Sequence, residues 1–258
     1  MPDNAHILYE DNHLLAVIKQ PGLLSQADAT GDPDLLTLLK EDLKRRYQKQ
    51  GNVYLGLVHR LDRPVGGVMV LARTSKAASR LSEQIRQGKM EKDYLAVVRG
   101  CVPGTGGVLR GRLLKDRKTN VSRLAGSIAG GDPETGKFSH LQYRVVHISK
   151  ETGMSLLLIR LGTGRAHQIR LLCAEAGWPV AGDRKYGTEG LTVRERRMGR
   201  DPALWAYRLS LAHPVGGRLM CFSAYPPAIL PWTQFERYMD SKVLILSEGL
   251  IKGEIEPS

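Results

Sequence analysis

The sequence predicts an α/β fold of the α+β kind: a mixed, largely antiparallel β-sheet flanked by helices and loops. Three observations lead there. Many short apolar runs follow one another with only tight turns between them. Helical periodicity is confined to three segments. A doubly wound parallel sheet would instead alternate strand and helix along the whole chain.

Element by element, "HILYEDNHLLAVIKQPG" reads as two strands joined at Asp11 and Asn12 and closed by Pro21-Gly22. Residues 35–50 have helical spacing (Leu35, Leu39, Leu43), with Asp32 or Asp34 as the cap. "VYLGLVH" and "GVMVLART" are strand-like on either side of a turn that carries Asp62. "TSKAASRLSEQIRQGKM" is a helix capped by Thr74 or Ser75, with Ala78, Leu81 and Ile85 as its buried stripe and Gly88 as its stop. "KDYLAVVRG" and "GVLRGRLLKD" follow as strands. Residues 118–137, polar and rich in glycine, read as a mobile surface loop. "SHLQYRVVHIS" and "MSLLLIRL" pair as a hairpin around residues 150–153. "GRAHQIRLLCAEAG" is a helix ending at Gly177, with Ile169, Leu172, Cys173 and Ala176 on one face and Arg165 at its first positions. After the basic, loop-like "RERRMGRDP" come the last strands, "ALWAYRLSLAHP" and "RLMCFSAYPP", and a polar tail from about residue 252. With no internal repeat and no linker, residues 1–258 read as a single domain.

Bulk properties narrow the function classes. Lys and Arg number 38 against 26 Asp and Glu, a formal charge of +12 on 258 residues. Such an excess favours a polyanionic partner through phosphate attraction and counterion release, so nucleic acid leads. The three cysteines (Cys101, Cys173, Cys221) are widely spaced, which argues against a disulfide framework and fits a reducing compartment. Neither a CxxC nor an HxxxH pair is present, so a structural zinc site has no support. The N-terminus lacks a signal-peptide pattern, and no apolar run is long enough to span a bilayer. The expectation is a cytoplasmic protein with no membrane association.

Three segments could carry chemistry. In "HRLD", extended backbone puts Arg60 and Asp62 on one side and His59 and Leu61 on the other. Asp62 is then either a turn former paired with Arg60 or an ionised reacting group. In "LGTGRAHQIRLL", Gly162 and Gly164 allow a tight turn, and Arg165 could hold a carboxylate and keep it ionised. His167 and Arg170, three residues apart, suit RNA phosphates or a neighbouring strand equally. Tyr94 in "EKDYLAVVRG" is either a core aromatic or a group that stacks on a base and exchanges a proton.

Taken together these segments resemble the RluA-like pseudouridine synthases, which isomerise uridine in ribosomal or transfer RNA. The resemblance rests on His59-Arg60-Leu61-Asp62 through Gly67, on Lys92, Tyr94, Ala96, Val98 and Gly100, and on Thr163-Gly164-Arg165 with His167-Gln168-Ile169-Arg170. Gly182, Asp183, Tyr186 and Gly187 complete it, in family order over roughly residues 6 to 230. It implies a pseudouridine-synthase-like catalytic domain in which Asp62 acts at the ribose C1′ region. Tyr94 would stack on the base and transfer a proton, Arg165 would pair with Asp62, and Arg60 would replace the flipped uridine in the RNA stack. His59, His167 and Arg170, with the patch residues Arg196, Arg197 and Arg200, are the further RNA-contact candidates. An isomerisation needs no cofactor, and none is expected, nor is a metal. The chain departs from the family pattern at Val65 and Gly66, at Ala166, and at Gln20, all beside the reacting groups. A small RNA-binding domain in front of the catalytic strands is not expected, so RNA recognition is expected of the catalytic domain itself, acting as a monomer. The alternative from another class is an RNA-binding ribosome-assembly factor that kept the fold and lost catalysis.

Overall fold

The computed structural model describes residues 5–116, 119, 121–127, 135–187, 201–239, 243 and 246. In chain order its strands are β1 (Ala5–Glu10), β2 (Leu14–Lys19), β3 (Gly56–Leu57), β4 (Gly66–Ala72), β5 (Glu91–Arg99) and β6 (Gly106–Asp116). They continue as β7 (Val121–Leu124), β8 (Lys137–Ser149), β9 (Met154–Leu161), β10 (Leu204–Ala212) and β11 (Leu219–Ser223). The helices are α1 (Leu35–Arg46), α2 (Ser75–Arg86) and α3 (Gln168–Glu175). Two compact units result: Met1–Lys92 with Trp205–Pro226, and Asp93–Leu204 with Pro227–Ser258.

The first unit is built on β4, every residue of which is buried. One edge of β4 pairs antiparallel with β2 from Leu14↔Ala72 to Lys19↔Gly67, and β1 lies outside β2. β4 also pairs with β3 through Gly56↔Ala72 and Leu57↔Leu71, and in parallel with β10 through Trp205↔Gly66 and Ala206↔Gly67. That parallel contact is the one exception to antiparallel pairing among the strand pairs described. Alternation sends Leu14, Ala16, Val68, Val70 and Ala72 to one face, where they pack with Ala77 and Leu81 of α2 and with Leu209 and Phe222. Helix α2 starts where Thr74 Oγ1 accepts the Ala77 N–H at 3.1 Å. Gln84 fastens the helix to the end of β10 through both Ala212 N and Ala212 O. For α1 the cap is Asp34, which accepts from Thr37 N, while Asp32 pairs with Arg63 instead.

The second unit is an antiparallel sheet in the order β5-β9-β8-β6-β7. Helix α3 covers one face, with Leu172 lying over Gly111 of β6. Here the surface-loop expectation for residues 118–137 is corrected. Val121–Leu124 forms β7, zipped to β6 from Leu113↔Leu124 to Asp116↔Val121. Residues 117, 118, 120 and 128–134, the basic stretch at 194–200 and the tail from 252 lie outside the described residues.

The Gly66-Gly67 pair is demanded by packing. A Cβ on Gly66 would run into the Trp205 ring and stand 2.8 Å from Pro21 Cδ, and Gly67 (φ +123°) presses against the Ala206 backbone. Pro21 and Gly66, from two separate turns, thus meet at one contact. Gly66→Ala is expected to cost about 1–3 kcal/mol of stability through overpacking, read as a lower urea midpoint with unchanged slope; an unchanged midpoint would contradict the packing account.

Candidate functional site

In the first unit, the Asp62 segment is tied down residue by residue. The His59 Nε2 accepts the Val70 N–H of β4 at 3.0 Å, using an imidazole where a strand partner would otherwise sit. Burial and the nearby Lys92 cation push the His59 pKa well below the ordinary histidine value, so the ring is neutral and carries its proton on Nδ1. Leu61 is buried, and its N–H and C=O both bond Ser25 Oγ, at 3.2 and 2.7 Å. The Asp62 C=O accepts from Val65 N at 3.0 Å, closing the turn.

Next to it, Arg63 exchanges backbone and side-chain hydrogen bonds with Gly22, and its guanidinium pairs with Asp32 at 2.7 Å. Lys19 at the end of β2 is 0% exposed. Its Nζ donates to Leu23 O at 2.7 Å, Arg63 O at 3.0 Å and Gln20 O at 3.1 Å. One buried ammonium therefore gathers the turn after β2 and the turn after Asp62 at one point. Asp62 itself is half-buried and Arg60 exposed. The segment thus presents the carboxylate from a backbone whose neighbours are all fastened, the preorganisation a reacting group needs.

In the second unit, Tyr94 sits on β5 opposite Ile159 and is buried. Arg165 is exposed and lies before α3, which begins only at Gln168. This corrects its placement at the first helical positions. The cause is His167, whose left-handed backbone (φ 56°, ψ 18°) breaks the helix entry. Gln168 holds the turn instead: its Oε1 accepts from Thr163 Oγ1 at 2.7 Å and Arg165 N at 3.1 Å, and its Nε2 donates to His140 O at 2.8 Å. A side chain at Gly162 would collide with the His140 ring.

The RNA-contact candidates His167 and Arg170 are both buried in hydrogen-bonded networks. The His167 Nδ1 lies 2.7 Å from Tyr186 Oη, which also accepts the Ser122 N–H at 2.8 Å. Ser122 Oγ in turn donates to Ala166 O at 2.9 Å. Arg170 is 5% exposed and grips Asp183 with two bonds of 2.6 and 2.8 Å. That guanidinium, with the N–H groups of Lys185 and Tyr186, holds the Asp183 carboxyl below the usual carboxylate range in spite of its burial. Gly182, at φ +77°, approaches Asp201 O so closely that a Cβ would not fit. The Gly-Asp…Tyr-Gly motif is therefore the frame of the Arg165 turn.

Sequence reasoning assigned no part to Lys19, Ser25 or Ser122, and took Asp183 and Tyr186 as motif residues without a role. For Lys19 a signal existed, a lysine closing the apolar run "LLAVIK" before a Pro-Gly turn. Ser122 lay in a segment read as loop. Arg196, Arg197 and Arg200 lie outside the described residues. Among the described residues, no helix is long and apolar enough to cross a membrane, and no cluster of three or more His, Cys, Asp or Glu could hold a metal ion.

Residues 13–175 match the family described as RNA pseudouridylate synthase. An uncharacterized RNA pseudouridine synthase of Aquifex aeolicus is 32% identical over 237 residues, covering 88% of this chain and 71% of that protein. Ribosomal large subunit pseudouridine synthase D of Neisseria meningitidis serogroup A is 34% identical over 230 residues, covering 86% of this chain and 58% of its own length. Synthase C of Haemophilus influenzae is 30% identical, covering 84% and 64%. This chain therefore spans less than two thirds of the latter two. Among solved structures, human RNA Pseudouridylate Synthase Domain Containing 1 aligns at a TM-score of 0.71 with 22% identity, over 99% of this chain and 98% of that one. Domain Containing 4 aligns at 0.69 with 22% identity, over 86% and 88%. These two likenesses show the fold.

Lys19→Met keeps the stem and removes the one cation that bonds the Gln20, Leu23 and Arg63 carbonyls. It should cost about 3 kcal/mol or more in urea unfolding; a loss below the error of the measurement would refute the clamp. A second outcome concerns pH. Because folding holds His59 neutral, its stabilising contribution is complete above about pH 6.5, the unfolded value, and declines as pH falls below it. His59→Gln keeps an acceptor for Val70 N–H without the titration. Between pH 7 and 5 the wild type should lose stability relative to this variant; parallel melting curves would contradict the assignment.

Proposed function

Because this chain belongs to the RNA pseudouridylate synthase family, we propose that it isomerises uridine to pseudouridine in RNA. The reaction breaks the N1–C1′ bond, turns the base, joins C5 to C1′ and releases the C5 hydrogen as a proton, with no net redox change. Asp62 is the carboxylate proposed to act at C1′. Tyr94 and Arg165 take the roles their motifs imply, base stacking with proton transfer and charge stabilisation. Arg60, exposed beside Asp62, is the side chain proposed to fill the gap left by the flipped uridine.

The observation that carries this reading is the fastening of the Asp62 segment. His59, Leu61, Arg63 and Val65 are each bonded in place around the one acidic side chain of the turn. A plain surface turn has no need of a buried lysine and a neutral histidine to hold it. The two relatives named for the large ribosomal subunit make ribosomal RNA the proposed substrate, with transfer RNA as the second pool to test. The enzyme is proposed to work as a cytoplasmic monomer.

The test is tritium release from RNA labelled at uridine C5. Wild type should release tritium from ribosomal RNA, and Asp62→Asn should lower the rate at least about a hundredfold. RNA affinity should stay near wild type, since most of it comes from phosphate contacts. Equal turnover by the variant would remove Asp62 from the chemistry. No release by wild type from either RNA pool, with binding intact, would overturn the enzymatic reading.

A further inference from the structure

The sheet of the second unit has two unlike faces. Cross-strand partners share a face, so Tyr94, Ile159, Tyr143 and Gly107 lie on one side, in line across β5, β9, β8 and β6. Leu113 and Leu124 fall on that same side, where α3 packs. The opposite side of β7, β6 and β8 carries a different set. Arg110 stands opposite His140, Arg112 opposite Phe138, Val108 opposite Gln142, and Gly106 opposite Arg144. Arg123 of β7 joins them opposite Leu114.

This second face is open and basic. Arg110, Arg123 and Arg144 are exposed, as are Phe138 (49%) and Val108 (38%). Within the second unit two acids share the face among the described residues. Asp93 is committed to Arg160 through two bonds of 2.7 and 2.8 Å, and Asp116, at the far end, accepts from Thr119. Phe138 lies against His140, with ring centroids 5.6 Å apart and planes inclined by 31°. An exposed phenylalanine on a pleated surface among three exposed arginines is poor design for water alone. It suits a chain that offers flat rings and phosphates together. At about 3.4 Å per residue, Arg144, Arg110 and Arg123 are spread over roughly 27 Å along the strand direction, the reach of an extended strand of several nucleotides.

We propose that this face binds a single-stranded stretch of RNA away from the reacting uridine, with phosphates on Arg110, Arg123 and Arg144 and a base stacked on Phe138. The proposal rests on the RNA reading above. It adds a second contact on the face of the sheet opposite Tyr94, made by residues outside every motif that carries the family resemblance. A single strand fits better than a duplex, because a paired helix has no exposed base face to offer Phe138.

The probe is a fluorescein-labelled, unstructured oligouridylate of about 20 nucleotides, followed by anisotropy from low to moderate KCl with the full-length protein. Three phosphate contacts predict that Arg110→Glu/Arg123→Glu/Arg144→Glu flattens the log–log salt slope by about two and weakens low-salt binding at least about tenfold. Phe138→Ala should weaken binding about tenfold and leave the slope as it is. Circular dichroism confirms that these surface variants fold. Wild-type affinity and slope in the triple variant, or wild-type affinity in Phe138→Ala, would overturn the proposal; the first result would be expected if the face instead serves an acidic protein. Tritium release run alongside separates the two readings. Release by wild type together with unchanged oligouridylate binding by the variants sinks this surface alone. Absent release with variant-sensitive binding sinks the chemistry and supports the surface.

Discussion

The buried ammonium of Lys19 is the constraint on which the Asp62 segment depends. A charge in a protein interior is tolerated only when fully hydrogen-bonded, and Lys19 meets that condition with three main-chain carbonyls. Two of them belong to the turn after β2 and one to Arg63, next to Asp62. Moving either turn would leave both a cation and several carbonyls unsatisfied in a dry place. The position of the acid is therefore coupled to the stability of the unit. His59 adds a second tie of the same kind, since only its neutral form can accept from Val70.

The second unit solves the same problem with a different network. Arg165 sits on a turn that would be mobile if left to glycine and water. Gln168 closes the turn from within, while Tyr186 ties the His167 ring to the backbone of β7 through a single hydroxyl. Burial raises the Tyr186 pKa, which keeps that hydroxyl protonated. Arg170 and Asp183 neutralise one another beneath it. Most residues of these motifs are framework, and the exposed arginine is what the framework presents.

The packing around Gly66 shows how two turns far apart in sequence can be coupled. Trp205 and Pro21 both occupy the space a side chain there would need. The Gln20-Pro21 turn and the Gly66 start of β4 thus form one solution to one steric problem. A side chain at position 66 would force the Trp205 ring to move.

Much of the fold is written locally. The continuous apolar runs of β2, β4, β5 and β9, and helical spacing in α1 and α2, depend on neighbours only a few residues away. So do the caps, although choosing Asp34 over Asp32 required knowing that Arg63 takes Asp32. The strand β7 was not legible, because four polar-flanked residues become a strand only when β6 is there to pair with them.

The candidate site divides along the same line. By itself the sequence determined the order and spacing of the motifs, hence the family and the short set of residues able to carry the chemistry. Only the tertiary structure decided which motif residues face solvent and which hold the frame. His167 and Arg170 share a motif with Arg165, yet their partners Tyr186 and Asp183 come from beyond α3, and Lys19 reaches Arg63 from 44 residues away. Burial and hydrogen-bond partners are properties of segments that meet in space, and periodicity along the chain does not encode them.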